Sequence, residues 1–464
     1  MCVVAICLLV PVVFMSCSRV PKSSSQNQST EPPAVAVKSL APMLGRVDAC
    51  SLALAPHRGS GRTDQEIVRL QAEGRKGNDP TNTIERLGWM YVRKARESFD
   101  PGFYKLAEQC ALCLDTRHPH SPEALLLRGH VLHNLHHFKE AEVLARALVM
   151  QRGLAVDQGL LGDALMEQGR LGEAVEAYQK MVDLRPDLHS YARAAHLRWL
   201  KGDLKGAIEL MQMAARAGSP HDGESAAWAY TRLAFYQSLS GALEPAQDAC
   251  ASALEFQTDY APALLLRGRL RLAQGENAAA LDDLQRATQL NPLPEYQWAL
   301  AEALRGANRN DEAIAVESTL RQTGAGNDPR TFALYLATRS ESIQVALQLA
   351  EKELLERGDV FTHDAHAWAL AAAGRIIEAQ PEMARATSEG TMDARLFFHA
   401  MVIASKSGRA AEAKSWFARA EKLKHLLLPS ERDQLLAAAT GLQDVAGGAA
   451  ETARAEAAAS IRQK

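Results

Sequence analysis

The sequence predicts an all-α chain, a solenoid of about ten helix-turn-helix pairs, on three observations. An alanine recurs at Ala141, Ala174, Ala207, Ala246, Ala280, Ala313, Ala346, Ala379 and Ala413, at intervals of 33, 33, 39, 34, 33, 33, 33 and 34 residues. Twelve positions before each stands a slot filled by Gly129, Gly162, Ala195, Ala234, Gly268, Ala301, Ala367 and Met401, with Leu334 the departure. The composition is 47% hydrophobic but only 6% aromatic, which suits closely packed helices better than strands. Internal repetition of this length marks a helical array, and nine or more units use a chain of 464 residues as one body.

Taken in order, the chain opens with an uninterrupted apolar run from Cys2 to Met15, shorter than the roughly 20 residues that span a bilayer. Phe14-Met15-Ser16-Cys17 resembles a bacterial lipobox, although Met15 stands where that box has a small residue. The resemblance implies a signal peptide over 1–17 and acylation at Cys17, and hence a membrane anchor. Residues 18–62, rich in Ser, Pro, Gln and Gly, have too little apolar surface to offset their ordering entropy and read as a disordered tether. The array is expected over 63–428, with a first amphipathic helix carrying Ile67, Leu70 and Ala72.

Residues 155–186 show why the unit is a pair. Leu161, Gly162 and Leu165 mark one face of a first helix, Gly169-Arg170 breaks it, Ala174, Tyr178 and Met181 line a second, and Pro186 ends that. Leu264, Gly268, Gly275, Ala280, Leu284 and Ala287 repeat the layout before Pro292. Small residues stand at the crossings because helices approach to about 8 Å only where side chains are small. From Thr81 to Ala420 these positions resemble the tetratricopeptide repeat, which implies a right-handed superhelix. Leu87-Gly88-Trp89-Met90-Tyr91 resembles an earlier unit with a lengthened turn at 98–103, and the interval of 39 points to an insertion at 218–224. In the unit over 327–358 the small residue and the turn glycine are both missing, so an irregularity is expected there. Residues 429–440 read as a helix capping the array's last apolar face, and 441–464 as an Ala-rich low-complexity tail.

The resemblance places the first helices along a concave groove, with His130, His133, Arg193, His196, Trp228, Arg232, Phe235, Arg269, Trp298, Arg305, Tyr335 and Trp368 on that side, together with Trp199 and Phe398. Aromatic residues and arginine are the usual interface anchors. Packing between helices is the competing reading, foremost for Trp199, Trp298 and Trp368. The lysine and asparagine clamp of co-chaperone arrays is absent: Leu126, His130, Leu160, His189 and Arg193 occupy those slots.

An alternative is a metal site, since Cys110 and Cys113 precede His130 and His133 and thiolate with imidazole suits zinc. Against it, both cysteines sit in a predicted helix where small apolar side chains pack, and Cys50, Cys110, Cys113 and Cys250 read mostly as free thiols. His363 and His366 lack the spacing of a metalloprotease motif, Asp282 and Asp283 read as solvent-face charge, and no phosphate loop, nucleophilic serine motif or dinucleotide fingerprint is present. With 52 basic and 55 acidic residues the balance does not favour nucleic acid. The expectation is therefore a non-enzymatic, cofactor-free scaffold at the bacterial cell envelope. It would hold an unknown protein or peptide client in its groove.

Overall fold

Each predicted alanine sits where two helices of a pair cross, and the computed structural model places all nine in the interior. The structure describes residues 48–77 and 80–441. The signal segment, Cys17, most of the tether and residues 442–464 lie outside them.

Two helices, α1 (Ala49–Ala53) and α2 (Arg62–Lys76), precede ten pairs. The pairs begin with α3 (Thr81–Ser98) and α4 (Gly102–Arg117), α5 (Pro122–Asn134) and α6 (Phe138–Gln151), then α7 (Ala155–Glu167) and α8 (Leu171–Leu184). They continue with α9 (Leu188–Leu200) and α10 (Leu204–Arg216), α11 (Gly223–Leu239) and α12 (Leu243–Phe256), then α13 (Ala261–Gln274) and α14 (Asn277–Leu290). The last four are α15 (Pro294–Gly306) with α16 (Asn310–Asn327), α17 (Pro329–Arg339) with α18 (Ile343–Glu356), α19 (Val360–Ala372) with α20 (Ile376–Thr387), and α21 (Ala394–Lys406) with α22 (Ala410–Leu423). No strand occurs among the described residues.

Local chemistry sets these boundaries. Ser121, Asp187, Asp328, Asp359 and Asp393 cap first helices by accepting backbone N–H groups that have no intrahelical partner. The turn inside each pair needs one left-handed residue, which is Gly169, Gly202, Gly241, Gly275, Gly374 or Gly408 in six pairs and Phe99, His136, Asn308 or Ser340 in four. At the crossings there is no spare room: a Cβ on Gly162 would lie 2.3 Å from the Tyr178 ring, and one on Gly268 would lie 2.7 Å from Leu284 Cγ.

The unit at 327–358 is irregular, as its missing residues suggest. Helix α16 runs on to 18 residues, α17 is cut to 11, and Ser340 and Ser342 both have positive φ. Left-handed backbone costs a residue with a Cβ about 1–2 kcal/mol. Ser340→Gly is therefore expected to stabilise the chain by about 1 kcal/mol, read as a higher urea midpoint at unchanged slope; an unchanged midpoint would mean the turn is not strained.

Three expectations are corrected. The turn between α3 and α4 is not lengthened, because the extra residues extend α3 to 18. Asp283 is buried rather than solvent-facing, and accepts from Arg267 and Arg271 at 2.6 Å each. Residues 48–61, assigned to the tether by composition, are tied to the array. Cys50 forms a disulfide with Cys113 of α4, Ala53 is fully buried, and Tyr91 Oη donates to the Ala53 carbonyl (3.1 Å) while accepting from Gln71 Nε2 (2.8 Å).

Candidate functional site

First helices of successive pairs pack on one another, α3 on α5, α5 on α7, and then in turn from α9 to α21. That close inner layer makes their side the concave one. Two features decide what remains of the groove.

The first is the chain's own end. Residues 424–426 form a 3₁₀ turn and 429–441 a helix, and this segment lies along the concave face instead of merely covering the last pair. His425 Nε2 lies 3.1 Å from the Ser238 carbonyl on α11, and Arg269 of α13 donates to the Leu426 carbonyl (2.5 Å). Ser430 N donates to Glu302 Oε2 of α15 (3.1 Å), and Gln434 Nε2 to the Thr338 carbonyl of α17 (3.0 Å). Arg395 of α21 bridges Glu431 (2.6 Å) and Glu295 (2.9 Å), with its guanidinium 4.8 Å over the Trp298 ring. Burial raises the Glu295 carboxyl, but Arg395 and Arg269 outweigh it and bring it down to about 2.

The second is closure. Residues about 190 apart meet, which is between five and six units. Gly358 N donates to the Glu167 carbonyl (3.0 Å) and Arg357 pairs with Glu167 (2.8 Å). Trp199 Nε1 donates to the Met392 carbonyl (2.9 Å), Thr391 Oγ1 to the Leu200 carbonyl (2.5 Å), and Lys201 pairs with Glu389 (2.7 Å).

The predicted groove residues divide accordingly. Trp298, Tyr335 and Trp368 retain 1%, 0% and 6% of their surface, so they are core rather than contact residues. Trp298 meets Tyr335 edge-on, and Trp368 stacks on His399 at 4.0 Å and donates to Thr338 Oγ1. Phe398 is wholly buried. Arg305 turns back to Glu317 of its own pair (2.7 Å), and Arg269 is spent on Glu295 and the Leu426 carbonyl. His130, His133, Arg193, His196, Trp228, Arg232 and Phe235 stay partly accessible on α5, α9 and α11. His130 packs on Trp89 (5.3 Å); its ring is partly open to solvent, yet surrounding protein and then His133 hold it neutral, near 3. Arg193 pairs with Asp163 (2.7 Å) and brings that carboxyl to about 2 against the opposing effect of burial.

Between the two ends of the closing turn lies a cavity of about 560 Å³, lined by His196, Trp199, Arg232 and Phe235 from α9 and α11 and by Arg330, Arg357, Asp359 and Phe361 from beyond α16. This is within the range of about 300–1,000 Å³ of ligand pockets. The second group escaped sequence reasoning because more than 90 residues separate it from the first, and no local pattern links them.

The metal reading is corrected. Cys113 is committed to the disulfide with Cys50, and Cys110 is fully buried with its thiol pushed up by burial. No group of three or more His, Cys, Asp or Glu residues is placed to hold a metal among the described residues. Of the cysteines expected to be free thiols, Cys110 and Cys250 are free, whereas Cys50 and Cys113 are not.

A family model described as tetratricopeptide repeat matches residues 160–222 and 265–328, over helix pairs built as above. The chain carries tetratricopeptide repeats. A comparison with curated proteins finds no significant match. Solved structures similar to this tetratricopeptide-repeat chain include human IFIT1, in a dimer with m7Gppp-AAAA, at 15% identity over 69% of this chain and 76% of that one, with a TM-score of 0.45. The Pseudomonas aeruginosa protein pilF matches at 14% identity over 44% and 92%, with a TM-score of 0.37. YrrB, a tetratricopeptide-repeat protein with an unusual peptide-binding site, matches at 14% identity over 39% and 92%, with a TM-score of 0.28.

Proposed function

We propose that this tetratricopeptide-repeat protein is a non-enzymatic scaffold of the bacterial cell envelope, anchored through Cys17, that holds a protein or peptide client on the inner wall of its first half. The observation that carries this reading is the division of the concave face. Over α13 to α17 the wall is covered by the chain's own helix, which shows that it accepts a helical segment, whereas His130, His133, Arg193 and Trp228 remain partly accessible. A preordered wall binds with little reorganisation of its own. The Cys50–Cys113 disulfide supports an oxidising compartment outside the cytoplasm.

The test is affinity capture from cross-linked cells with the intact protein and a His130→Glu, Trp228→Ala variant that retains wild-type circular dichroism and thermal midpoint. The expected result is loss of a specific envelope protein from the variant's captured set. An unchanged set would place binding on another face. Radiolabelled palmitate incorporation that disappears in Cys17→Ala is expected in parallel, and an unlabelled wild-type chain would remove the anchor from the reading.

A further inference from the structure

Among the described residues, the cavity at the closing seam is lined by one guanidinium that no carboxylate pairs with. Each acid lining it is engaged: Glu167 by Arg357 (2.8 Å), Asp359 by Arg330 (3.2 Å), Glu389 by Lys201 (2.7 Å), and Asp393 by the backbone N–H groups of Arg395 and Leu396. Arg385, the remaining lining arginine, pairs with Glu382. Arg232 has no carboxylate partner among the described residues. Its guanidinium lies 5.3, 4.9 and 5.0 Å from the rings of Trp199, Phe235 and Tyr236. From Nη2 alone it donates to two neutral acceptors, the Tyr236 hydroxyl (3.2 Å) and His196 Nδ1 (3.1 Å), while its Nε is buried with no partner.

Aromatic faces return about 0.5–2 kcal/mol to a cation, and the buried Nε has no acceptor to add to that. A guanidinium has five N–H donors, so most of this one's capacity is unused. Because His196 Nδ1 accepts from Arg232, the proton of the neutral imidazole is assigned to Nε2, a further donor on a residue that lines the cavity. Trp199 stacks on Phe361 at 5.5 Å across the seam, which gives the space flat apolar walls from both halves.

We propose that this cavity binds a small organic carboxylate with an aromatic or branched apolar body, with Arg232 as its counter-ion, His196 as a second donor, and Trp199, Phe235 and Phe361 as its walls. One unpaired guanidinium and one neutral imidazole match a single negative charge. With every other lining arginine already paired with a carboxylate, a dianion such as a phosphate monoester would bring a second charge that no free guanidinium of the cavity meets. The volume, and the pinching of the walls where Gly358 meets Glu167, suit a small molecule better than a passing polypeptide. Since both halves contribute walls, an occupant ties the closing turn together.

The test is thermal unfolding and calorimetric titration of the full chain with a panel of benzoate, 3-phenylpropionate and indole-3-acetate, each beside its neutral amide, and with phenyl phosphate. The variants are Arg232→Met and, as a distant control, Arg286→Met. Wild type and the control are expected to show a saturable rise in Tm with at least one carboxylate and none with its amide. Arg232→Met should bind that carboxylate at least about tenfold more weakly, a difference of about 1.4 kcal/mol, while its unliganded Tm equals or exceeds wild type. No response to any carboxylate at millimolar concentration overturns the proposal, as does equal binding of acid and amide or stronger binding of phenyl phosphate. An Arg232→Met chain that unfolds early yet binds as wild type would make Arg232 a packing residue.

Discussion

Gly169→Ala is expected to cost about 3 kcal/mol and to open the seam between the two ends of the closing turn. Two effects add. Gly169 has φ +75°, where an L side chain costs about 1–2 kcal/mol. A Cβ there would also lie 2.1 Å from the Gly358 carbonyl oxygen, a backbone atom held by its own segment, so the halves must part. Gly275→Ala is the control, since Gly275 has φ +81° and nothing within 4 Å of its missing Cβ. It should cost only the backbone part, about 1–2 kcal/mol. The difference in denaturation midpoints isolates the seam, and a red shift of Trp199 emission in Gly169→Ala should report lost contact with the Met392 carbonyl. Equal midpoints for the two variants would mean that the seam contributes little to stability.

Arg395→Ala is expected to cost about 3–5 kcal/mol and to release the terminal helix. Arg395 neutralises the fully buried Glu431 and shares Glu295 with Arg269, so removing it leaves Glu431 uncompensated and Glu295 with one cationic partner instead of two. The pH dependence follows from Glu295, whose carboxyl is depressed from 4.5 to about 2 because Arg395 and Arg269 outweigh the burial that raises it. A depressed folded-state pKa contributes stability above the unfolded value that is lost as pH falls, so wild type should lose this contribution between about pH 4.5 and about pH 2. In Arg395→Ala burial gains weight and the loss should begin at higher pH. Hydrogen exchange of residues 429–441 against pH would follow the release. Protection that is independent of Arg395 would mean that Leu426, Leu427, Leu428 and Leu435, all buried, hold the helix unaided.

The helix pairs were legible because their requirements are local. Ala280 and Gly268 report a crossing too close for larger side chains, and Gly275 reports a left-handed turn. Residues that meet the same requirement at a cost were harder to recognise: His136, Asn308 and Ser340 take the left-handed turn without being glycine. The disulfide was not legible, since one of its cysteines lies in a segment whose composition reads as tether. Of the groove residues, Trp298, Tyr335 and Trp368 were assigned to the correct helices but not to the correct environment. An aromatic side chain facing the concave side is a contact residue only if nothing else from the chain reaches it, and here Arg395 lies over Trp298, Trp298 meets Tyr335 and His399 stacks on Trp368.

Sequence alone determined the all-α class, the tetratricopeptide repeat, the phase of its ten pairs and the helices that face inward, because each follows from packing between neighbours along the chain. Only the tertiary structure decided that the second half of the groove is already filled, that Arg232 shares a cavity with Phe361 and Arg330, and that Gly169 abuts Gly358. Those contacts depend on the small rotation between successive pairs summed over five to six units, a sum that no single repeat encodes.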